Sequence, residues 1–201
     1  MAHSIPADFR VLVVPGLHGS GSGHWQTRWE RLFPRFERVV QRDWDVPDLA
    51  EWSGRVGDQL RKSDRPTLLV AHSFGCLASV HRASLGVRNL AGILLVAPAD
   101  PVKFGVDDCL RNVVLPCPSI VVGSRDDPWM TKERAARWAA QWESEFVDAG
   151  ALGHINADSG LGDWMFGQTL LGRLAEAPGR AMSTLDAWGD RRPVQTMVIT
   201  K

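Results

Sequence analysis

A serine lies between small residues at the point where an apolar run changes to a helical pattern. Residues 67–75 spell TLLVAHSFG, in which Ala71 and Gly75 flank Ser73 at a spacing of two residues on each side. Small residues at these places let a strand turn sharply into a helix and hold the serine exposed and strained, which suits a nucleophile. The same serine can instead simply cap the helix, and this segment alone leaves both interpretations open.

A base follows the serine along the chain. His154 lies among small residues just after the short apolar run 145–148, and Gly153 leaves its ring room to move. A neighbouring histidine can take the proton of Ser73, and a carboxylate can fix the tautomer of that histidine and stabilise the imidazolium. The chain order serine, acid, histidine is the one expected with a serine elbow of this kind, so the set predicts acyl transfer to Ser73.

Three aspartates compete for the position of the acid. Asp126 and Asp127 lie in the loop that follows the apolar run 119–122, and we favour Asp127 because Pro128 restricts its backbone. An ordinary Asp-Pro turn explains this pair equally well. Asp100 also follows an apolar run and is the competing candidate, with a pocket wall or a helix cap as its alternative role.

Two backbone amides are candidates for an oxyanion hole. The sharp turn places the Phe74 amide at the start of a helix beside Ser73, where it can donate to a developing negative charge. The Gly-rich loop 15–20 follows the first apolar run, and we assign the second donor to the Leu17 amide within it. The glycines of this region do not follow the G-x-G-x-x-G or G-x-x-x-x-G-K spacing of nucleotide-binding loops.

The chain is rich in tryptophan, with nine, and it contains no tyrosine. Aromatic side chains near the serine and the histidine would wall an apolar acyl pocket, although most of the tryptophans belong in the core. The histidines lack the paired helical spacing of known metal motifs, so we expect neither a metal site nor a cofactor. The residues assigned to the substrate pocket are His18, His24, Trp25, His72 and Trp129.

Short apolar runs alternate with stretches of helical periodicity. Each run is too short for a helix and is bounded by Pro, Gly or charged residues, which predicts buried strands. This alternation predicts a three-layer α/β sandwich, a mostly parallel central sheet with helices on both faces, whose ligand site lies beyond the carboxyl ends of the strands. The predicted strands are 9–15, 38–41, 67–71, 92–97, 119–122 and 145–148, and the predicted helices are 48–62, 74–85, 131–142 and 161–177.

The length of 201 residues fits one domain. We assign residues 1–178 to a single α/β domain and residues 179–201 to a C-terminal tail, because the chain turns polar and loses its periodicity after Pro178. Within that tail, residues 194–200 form either an extra strand or an ordered end.

Composition and charge exclude several classes of protein. Hydrophobic residues make up 44% and charged residues 23%, and 23 basic residues balance 23 acidic ones, so no net charge draws the chain to nucleic acid or to anionic membranes. No window approaches the roughly 20 apolar residues of a membrane span. Three widely spaced cysteines without a C-x-x-C pair argue against a disulfide framework or a zinc site and favour the cytoplasm.

Short segments with distinctive residues follow one another in a fixed order: PG at 15–16, GHW at 23–25, VAHSFGC at 70–76, VAPAD at 96–100, SRDDP at 124–128, GHIN at 153–156 and SG at 159–160. Together they resemble the YdeN-like, retinoblastoma-binding-protein-nine-related serine hydrolases, a branch of small α/β-hydrolases with little or no lid. The resemblance covers residues 10–177 and implies Ser73 as nucleophile, Asp127 as acid and His154 as base. Phe74, where such elbows commonly have Leu, and the tail are departures from the family pattern.

The expected reaction is hydrolysis of a small ester-like substrate, of the carboxylesterase type, through an acyl-enzyme on Ser73. Thioester or amide bonds, and transfer of the acyl group to an alcohol or amine, use the same groups and stay open. The acyl-chain preference and the formation of a homodimer also stay open. The alternative from another class is a protein-binding module on a catalytically weak hydrolase scaffold, since a fold does not guarantee its function.

Overall fold

Six parallel strands form one sheet in the computed structural model, which describes residues 7–177. The strands are β1 Arg10–Val14, β2 Phe36–Arg38, β3 Thr67–His72, β4 Leu90–Val96, β5 Ser119–Gly123 and β6 Glu145–Asp148. Their spatial order is β2-β1-β3-β4-β5-β6, and all five neighbouring pairs are parallel. The predicted tail 179–201, with its strand at 194–200, lies outside the described residues.

Helices cover both faces of this sheet. They are α1 Trp25–Leu32, α2 Leu49–Leu60, α3 Phe74–Ser84, α4 Asp107–Leu110, α5 Lys132–Gln141 and α6 Met165–Glu176, with 3-10 turns at Pro101–Phe104 and Ala157–Ser159. α1 and α6 pack in one hydrophobic core, and the other helices pack in a second core on the opposite face. The three-layer α/β sandwich is therefore confirmed, with a wholly parallel sheet. None of the helices between residues 7 and 177 is long and apolar enough to span a membrane.

The alternation of side chains along the strands feeds both cores. In β3, Leu68 and Val70 belong to the core under α1 and α6, whereas Leu69 and Ala71 belong to the core on the other face. Because helices cover both faces, every residue of β1 and β3 is buried. Full burial of one Leu or Val side chain stabilises the fold by about 1.5–3 kcal/mol. β1 and β3 are thus packed on both faces along their whole length.

Most predicted elements agree with the observed ones to within two residues at each end. The helix predicted from residue 161 is an exception, because α6 begins at Met165. Gly162 and Trp164 have φ angles of 56° and 42°, in the left-handed region, and this interrupts a right-handed helix before α6 can start.

The predicted strand at 38–41 is wrong in its position. β2 ends at Arg38, and of the predicted residues beyond it only Val39 continues the pairing, with its N–H donating to the Val13 carbonyl at 2.8 Å. Gln41 is buried although it is polar, so the burial pattern after β2 does not follow the apolar sequence pattern.

Helix α1 was not predicted because its first residue follows an unusual cap. His24 Nδ1 accepts a hydrogen bond from the Gln26 amide at 3.2 Å, a role that Ser, Thr, Asp or Asn usually fills. Trp25 and Trp29 lie four residues apart and so share the face that packs on the sheet. Tertiary burial of these two rings, more than local propensity, stabilises this short helix.

The turn between β3 and α3 lies against the end of β1. A Cβ atom added at Gly75 would come within 2.5 Å of the Val14 carbonyl oxygen and still closer to the carbonyl oxygen of Pro15. A Cβ atom added at Gly16 would come within 2.6 Å of Ser73 Cβ. The opposing atoms cannot rotate away, since they are backbone atoms or a Cβ, so only glycine fits at these two positions.

Replacing Gly75 with Ala is expected to destabilise the protein by about 1–3 kcal/mol, because the added methyl group overpacks against fixed backbone. Gly54 in α2 provides a matched control, since a Cβ atom there meets nothing within 4 Å. Gly54→Ala is expected to stabilise the protein by about 0.5–1 kcal/mol through its higher helix propensity. Urea unfolding of both variants and the wild type measures the two effects, and a Gly75→Ala protein of wild-type stability would contradict the packing argument.

Candidate active site

Ser73 occupies the turn between β3 and α3 in a left-handed backbone conformation. Its φ and ψ angles are 52° and −125°, a strained combination for a residue with a side chain. Ser73 directly precedes α3, yet its hydroxyl makes no capping hydrogen bond to the helix. Its Oγ atom lies 3.0 Å from His154 Nε2 instead. The interpretation of Ser73 as a simple helix cap is therefore wrong.

His154 links this serine to a buried carboxylate. His154 Nδ1 lies 2.9 Å from Asp127 Oδ2 and 3.1 Å from Asp127 Oδ1. The side chains of His154 and Asp127 are 10% and 3% exposed. Because a carboxylate only accepts hydrogen bonds, Nδ1 carries the proton and Nε2 is left as an acceptor for the Ser73 hydroxyl. The three side chains thus have the connectivity of a nucleophile, a base and an orienting acid.

The neighbouring carboxylates of Asp126 and Asp127 have different partners. Asp127 Oδ1 accepts a hydrogen bond from the Trp129 amide at 2.8 Å, which fixes the carboxylate beside the imidazole. Asp126 Oδ1 accepts from the Ser124 hydroxyl and from the Gly153 amide, both at 2.8 Å. These bonds, that of Ser124 first, hold the pKa of the Asp126 carboxyl below its usual value. Asp126 therefore stabilises the loop at Gly153, the residue that precedes His154, and makes no hydrogen bond with the imidazole.

Asp100, the competing candidate for the acid, binds Arg134. Its Oδ1 atom lies 2.7 Å from a guanidinium nitrogen of Arg134 and accepts from the Val102 amide at 3.2 Å, which caps the following 3-10 turn. No hydrogen bond joins Asp100 to His154 within residues 7–177. The competing hypothesis that Asp100 is the acid is therefore wrong, and its alternative roles as a cap and a pocket wall agree with the structure.

Two buried histidines pack beside His154. His72 Nε2–H donates to the His154 carbonyl at 2.9 Å, and the His24 ring packs on His72 with a centroid distance of 4.7 Å. Burial, together with charges on Arg38 and His154, lowers the pKa of His24 to about 4. Burial also lowers the pKa of His72 well below its usual value, so both rings are neutral at pH 7. In the described part of the chain no group of His, Cys, Asp and Glu is arranged to hold a metal ion.

The two predicted oxyanion donors, the Phe74 and Leu17 amides, have no hydrogen-bond acceptor among residues 7–177. The Phe74 amide belongs to the first residue of α3, where no intrahelical acceptor exists. The Leu17 amide donates to no other group among residues 7–177. Its loop passes close to the nucleophile, since a Cβ atom at Gly16 would lie 3.3 Å from Ser73 Oγ. Unpaired amides beside a nucleophile suit the stabilisation of an oxyanion.

A cavity of about 580 Å³ opens at Ser73 and His154. His18 and Trp129 line its exposed rim, where His18 Nδ1 lies 2.8 Å from Asp45 Oδ1 and Trp129 is 59% exposed. The buried histidines line its inner part, each being 5% exposed. Four of the five predicted pocket residues therefore line the cavity, namely His18, His24, His72 and Trp129.

Trp25 does not line this cavity, and its assignment to the pocket is wrong. Trp25 is 1% exposed and packs against Trp29 and Trp164 in the core under α1 and α6. Its indole N–H donates to the Ile155 carbonyl at 2.8 Å. The first turn of α1 directs this side chain towards the sheet, whereas the preceding cap residue faces the cavity. Trp25 supports the backbone next to His154 from within the core.

Part of the cavity wall was not predicted from the sequence. The segment after β4 contributes Ala99, Lys103 and Phe104, and the segment after His154 contributes Asn156 and Ala157. β4 pairs with β3, so their carboxyl ends meet at the same edge of the sheet. The adjacency of these two strands was the signal that could have identified the first segment, but strand order does not follow from local sequence.

The low pKa of His24 predicts a specific dependence of stability on pH. Its folded pKa of about 4 lies below the unfolded value of 6.5, so the unfolded chain binds the extra proton first as the pH falls. This group's contribution to stability is therefore complete above pH 6.5 and is lost as the pH falls towards 4. Relative to His24→Asn, which keeps a capping oxygen, the wild type is expected to lose about 3 kcal/mol more between pH 7 and pH 4.

Denaturant unfolding of the wild type and His24→Asn at several pH values measures this difference. Groups far from His24 titrate in both proteins and cancel in the comparison, whereas the pKa of His72, which the charge of His24 helps to lower, also changes in the variant. Parallel curves of unfolding free energy against pH would show that burial does not depress the His24 pKa.

Comparison with known proteins places the chain among serine hydrolases. The Serine hydrolase family matches residues 11–173. Among solved structures, a YdeN-like hydrolase from Pectobacterium atrosepticum is 41% identical, with a TM-score of 0.81 over 84% of this chain and 91% of that one. No protein with a curated description matches the chain.

More distant structures share the fold. The ydeN gene product of B. subtilis is 21% identical, with a TM-score of 0.71 over 83% of this chain and 98% of that one. The RedJ thioesterase from the prodiginine biosynthetic pathway of Streptomyces coelicolor is 17% identical, with a TM-score of 0.59 over 84% of this chain and 86% of that one. By the family match and the 41% identity, the chain belongs to the YdeN-like serine hydrolases of the α/β-hydrolase fold.

Proposed function

We propose that this serine hydrolase cleaves a small carboxylic ester through an acyl-enzyme on Ser73. The observation that carries the proposal is the continuous chain of hydrogen bonds from Ser73 through His154 to Asp127, at 3.0 Å and 2.9 Å, on the wall of a cavity. A positioned base contributes about 10²–10⁴-fold to a reaction of this kind. Each of the three side chains has the partner that its proposed role requires.

His154 Nε2 takes the proton of the Ser73 hydroxyl as Oγ attacks the carbonyl carbon of the substrate. The Leu17 and Phe74 amides stabilise the oxyanion, each such donor being worth about 10²–10³-fold in rate. His154 then gives its proton to the leaving alcohol, while Asp127 stabilises the imidazolium. Water, activated by the same base, attacks the acyl-enzyme and releases a carboxylic acid together with the free Ser73 hydroxyl.

The cavity supports a small acyl substrate. Its volume of about 580 Å³ lies within the range of small-molecule sites. Leu17, Ala99, Phe104 and Trp129 supply apolar surface to its wall, which suits an acyl chain. His24 and His72 are neutral at pH 7, so these two side chains add no formal charge to the inner part of the wall. We propose the carboxylesterase type on these grounds, with thioesters as the nearest alternative substrates.

The proposed compartment is the cytoplasm. All three cysteines are free thiols in the structure, with Cys76 and Cys117 buried and Cys109 exposed. An exposed free thiol is more compatible with a reducing compartment than with an oxidising one.

Replacement of Ser73 with Ala tests the proposal directly. Wild-type protein is expected to hydrolyse p-nitrophenyl acetate and butyrate and to be labelled stoichiometrically by a fluorophosphonate probe. Ser73→Ala, shown to be folded by circular dichroism, is expected to lose labelling and to fall to the background rate. A folded wild type that neither turns over the esters nor reacts with the probe would sink the hydrolase proposal and favour a protein-binding module.

The adjacent residues Asp127 and Asp126 allow the proposed catalytic acid to be compared with a carboxylate that has a structural role. Asp127→Asn is expected to lower kcat by about 10³–10⁴-fold, because an amide beside Nδ1 favours the wrong tautomer of His154. Asp126→Asn keeps an oxygen for its two donors and is expected to lower kcat by less than about tenfold. Steady-state kinetics on p-nitrophenyl butyrate compares them, and equal losses for the two variants would contradict the assignment of Asp127.

A further inference from the structure

The Asp100 carboxylate has one free oxygen on the wall of the cavity. Asp100 is 4% exposed and lines the cavity that contains Ser73. Both of its side-chain hydrogen bonds, from Arg134 and from the Val102 amide, end on Oδ1. Oδ2 accepts no hydrogen bond within residues 7–177, yet it is not among the unpaired atoms sealed from water. Because Asp100 lines the cavity and is otherwise buried, the accessible part of Oδ2 is assigned to the cavity wall.

A buried acceptor of this kind favours ligands that donate a hydrogen bond. A ligand that displaces water from Oδ2 without donating leaves a charged oxygen unpaired, which is costly inside a protein. A ligand with an N–H or O–H group at that place supplies the hydrogen bond that water would otherwise donate to Oδ2. Sites built around such a polar group discriminate strongly against analogues that lack the matching donor.

The surrounding charges favour a neutral donor over an ammonium group. The Arg134 guanidinium lies 2.7 Å from Asp100 Oδ1 and already balances the negative charge. Lys103 also lines the cavity, with its Nζ donating to the Trp129 carbonyl at 2.5 Å. A positively charged ligand would meet these two cations together with the single carboxylate, and would lose much of its hydration on entry.

One of the two buried histidines of the wall adds a second hydrogen-bond acceptor to the cavity. His72 uses Nε2–H on the His154 carbonyl, so its other ring nitrogen, Nδ1, is an acceptor with no partner among the described residues. His24 Nε2 carries a proton but is sealed from water, so it is not available to a ligand. Two unpaired acceptors, on Asp100 and on His72, thus contribute to the inner polar surface of the cavity.

We propose that Asp100 selects acyl substrates carrying a neutral hydrogen-bond donor, a hydroxyl or an amide N–H, in the part that fills the cavity. This inference rests on the proposed esterase activity and names its substrate class. Asp100 is a specificity-determining residue in this scheme and takes no part in proton transfer, since it makes no hydrogen bond to His154.

Three p-nitrophenyl esters of matched length test the inference: butyrate, 3-hydroxybutyrate and 3-aminobutyrate, each normalised to its rate of hydroxide-catalysed hydrolysis. The wild type is expected to show a kcat/KM for the hydroxy ester at least about tenfold above those of the other two. Asp100→Asn is the isosteric variant, because the donors from Arg134 and Val102 hold the amide oxygen at the Oδ1 position and leave NH₂ in place of Oδ2. That variant is expected to lose the preference, measured as the ratio of its kcat/KM for the hydroxy ester to its kcat/KM for butyrate.

Arg134→Gln is the second variant and tests the charge argument. Without the guanidinium, the Asp100 carboxylate is uncompensated, so the kcat/KM of the amino ester is expected to rise at least about fivefold relative to that of the hydroxy ester. This variant also keeps the proposal testable if Asp100→Asn fails to fold, which thermal unfolding reveals.

The outcomes distinguish this inference from the proposed function. Turnover of butyrate with no preference for the hydroxy ester would overturn the role of Asp100 while leaving the esterase activity intact. A preference for the amino ester in the wild type would overturn the choice of a neutral donor. Absence of turnover and of probe labelling with all three esters would instead overturn the proposed function on which the inference rests.

Discussion

The contact between the turn after β3 and the loop after β1 is the constraint on which the site depends. Gly75 and Gly16 allow these two segments to approach so closely that a side chain at either position would meet backbone or Ser73 Cβ. The approach holds Ser73 at a φ angle of 52°, a conformation that costs of order 1–3 kcal/mol. Phe74 offsets this strain, because it is fully buried and packs edge-on against Trp52 at a centroid distance of 5.1 Å. The aromatic residue after the nucleophile, a departure from the usual Leu, thus has a packing partner.

The proposed base is held by contacts that reach it from separate elements. His72 binds its carbonyl from the end of β3, and Asp127 binds its ring from the loop after β5. Asp126 binds the amide of Gly153, the residue immediately before it. Nε2 is the ring nitrogen left to act as the base, and it points towards Ser73. Pre-organisation of this kind places the nitrogen within hydrogen-bond reach of the hydroxyl before any substrate binds, which is what general base catalysis requires.

The fold class and the position of the nucleophile could be predicted because they depend on local signals, whereas the acid and the base were chosen by chain order and by the family resemblance. Apolar runs of strand length mark β3 and β5, and the elbow needs small residues at fixed offsets from Ser73. Trp25 was misplaced because neighbours in sequence at a helix start can point in opposite directions, one into the core and one into a cavity. The wall after β4 was missed because it depends on which strands are adjacent. The ion pair of Asp100 could not be predicted, since Arg134 lies on a helix 34 residues away in the chain.

The tie between α1 and the loop that carries His154 has a consequence for local opening of the protein. Trp25 binds the Ile155 carbonyl, and Trp29 and Arg28 bind the backbone and the side chain of Asp163. The loop after β6 is therefore joined to the tryptophan core and cannot detach without exposing it. A segment bound in this way is expected to exchange its amide hydrogens together with the core to which it is joined. We therefore expect the loop that carries His154 and the tryptophan core to open together as one cooperative unit.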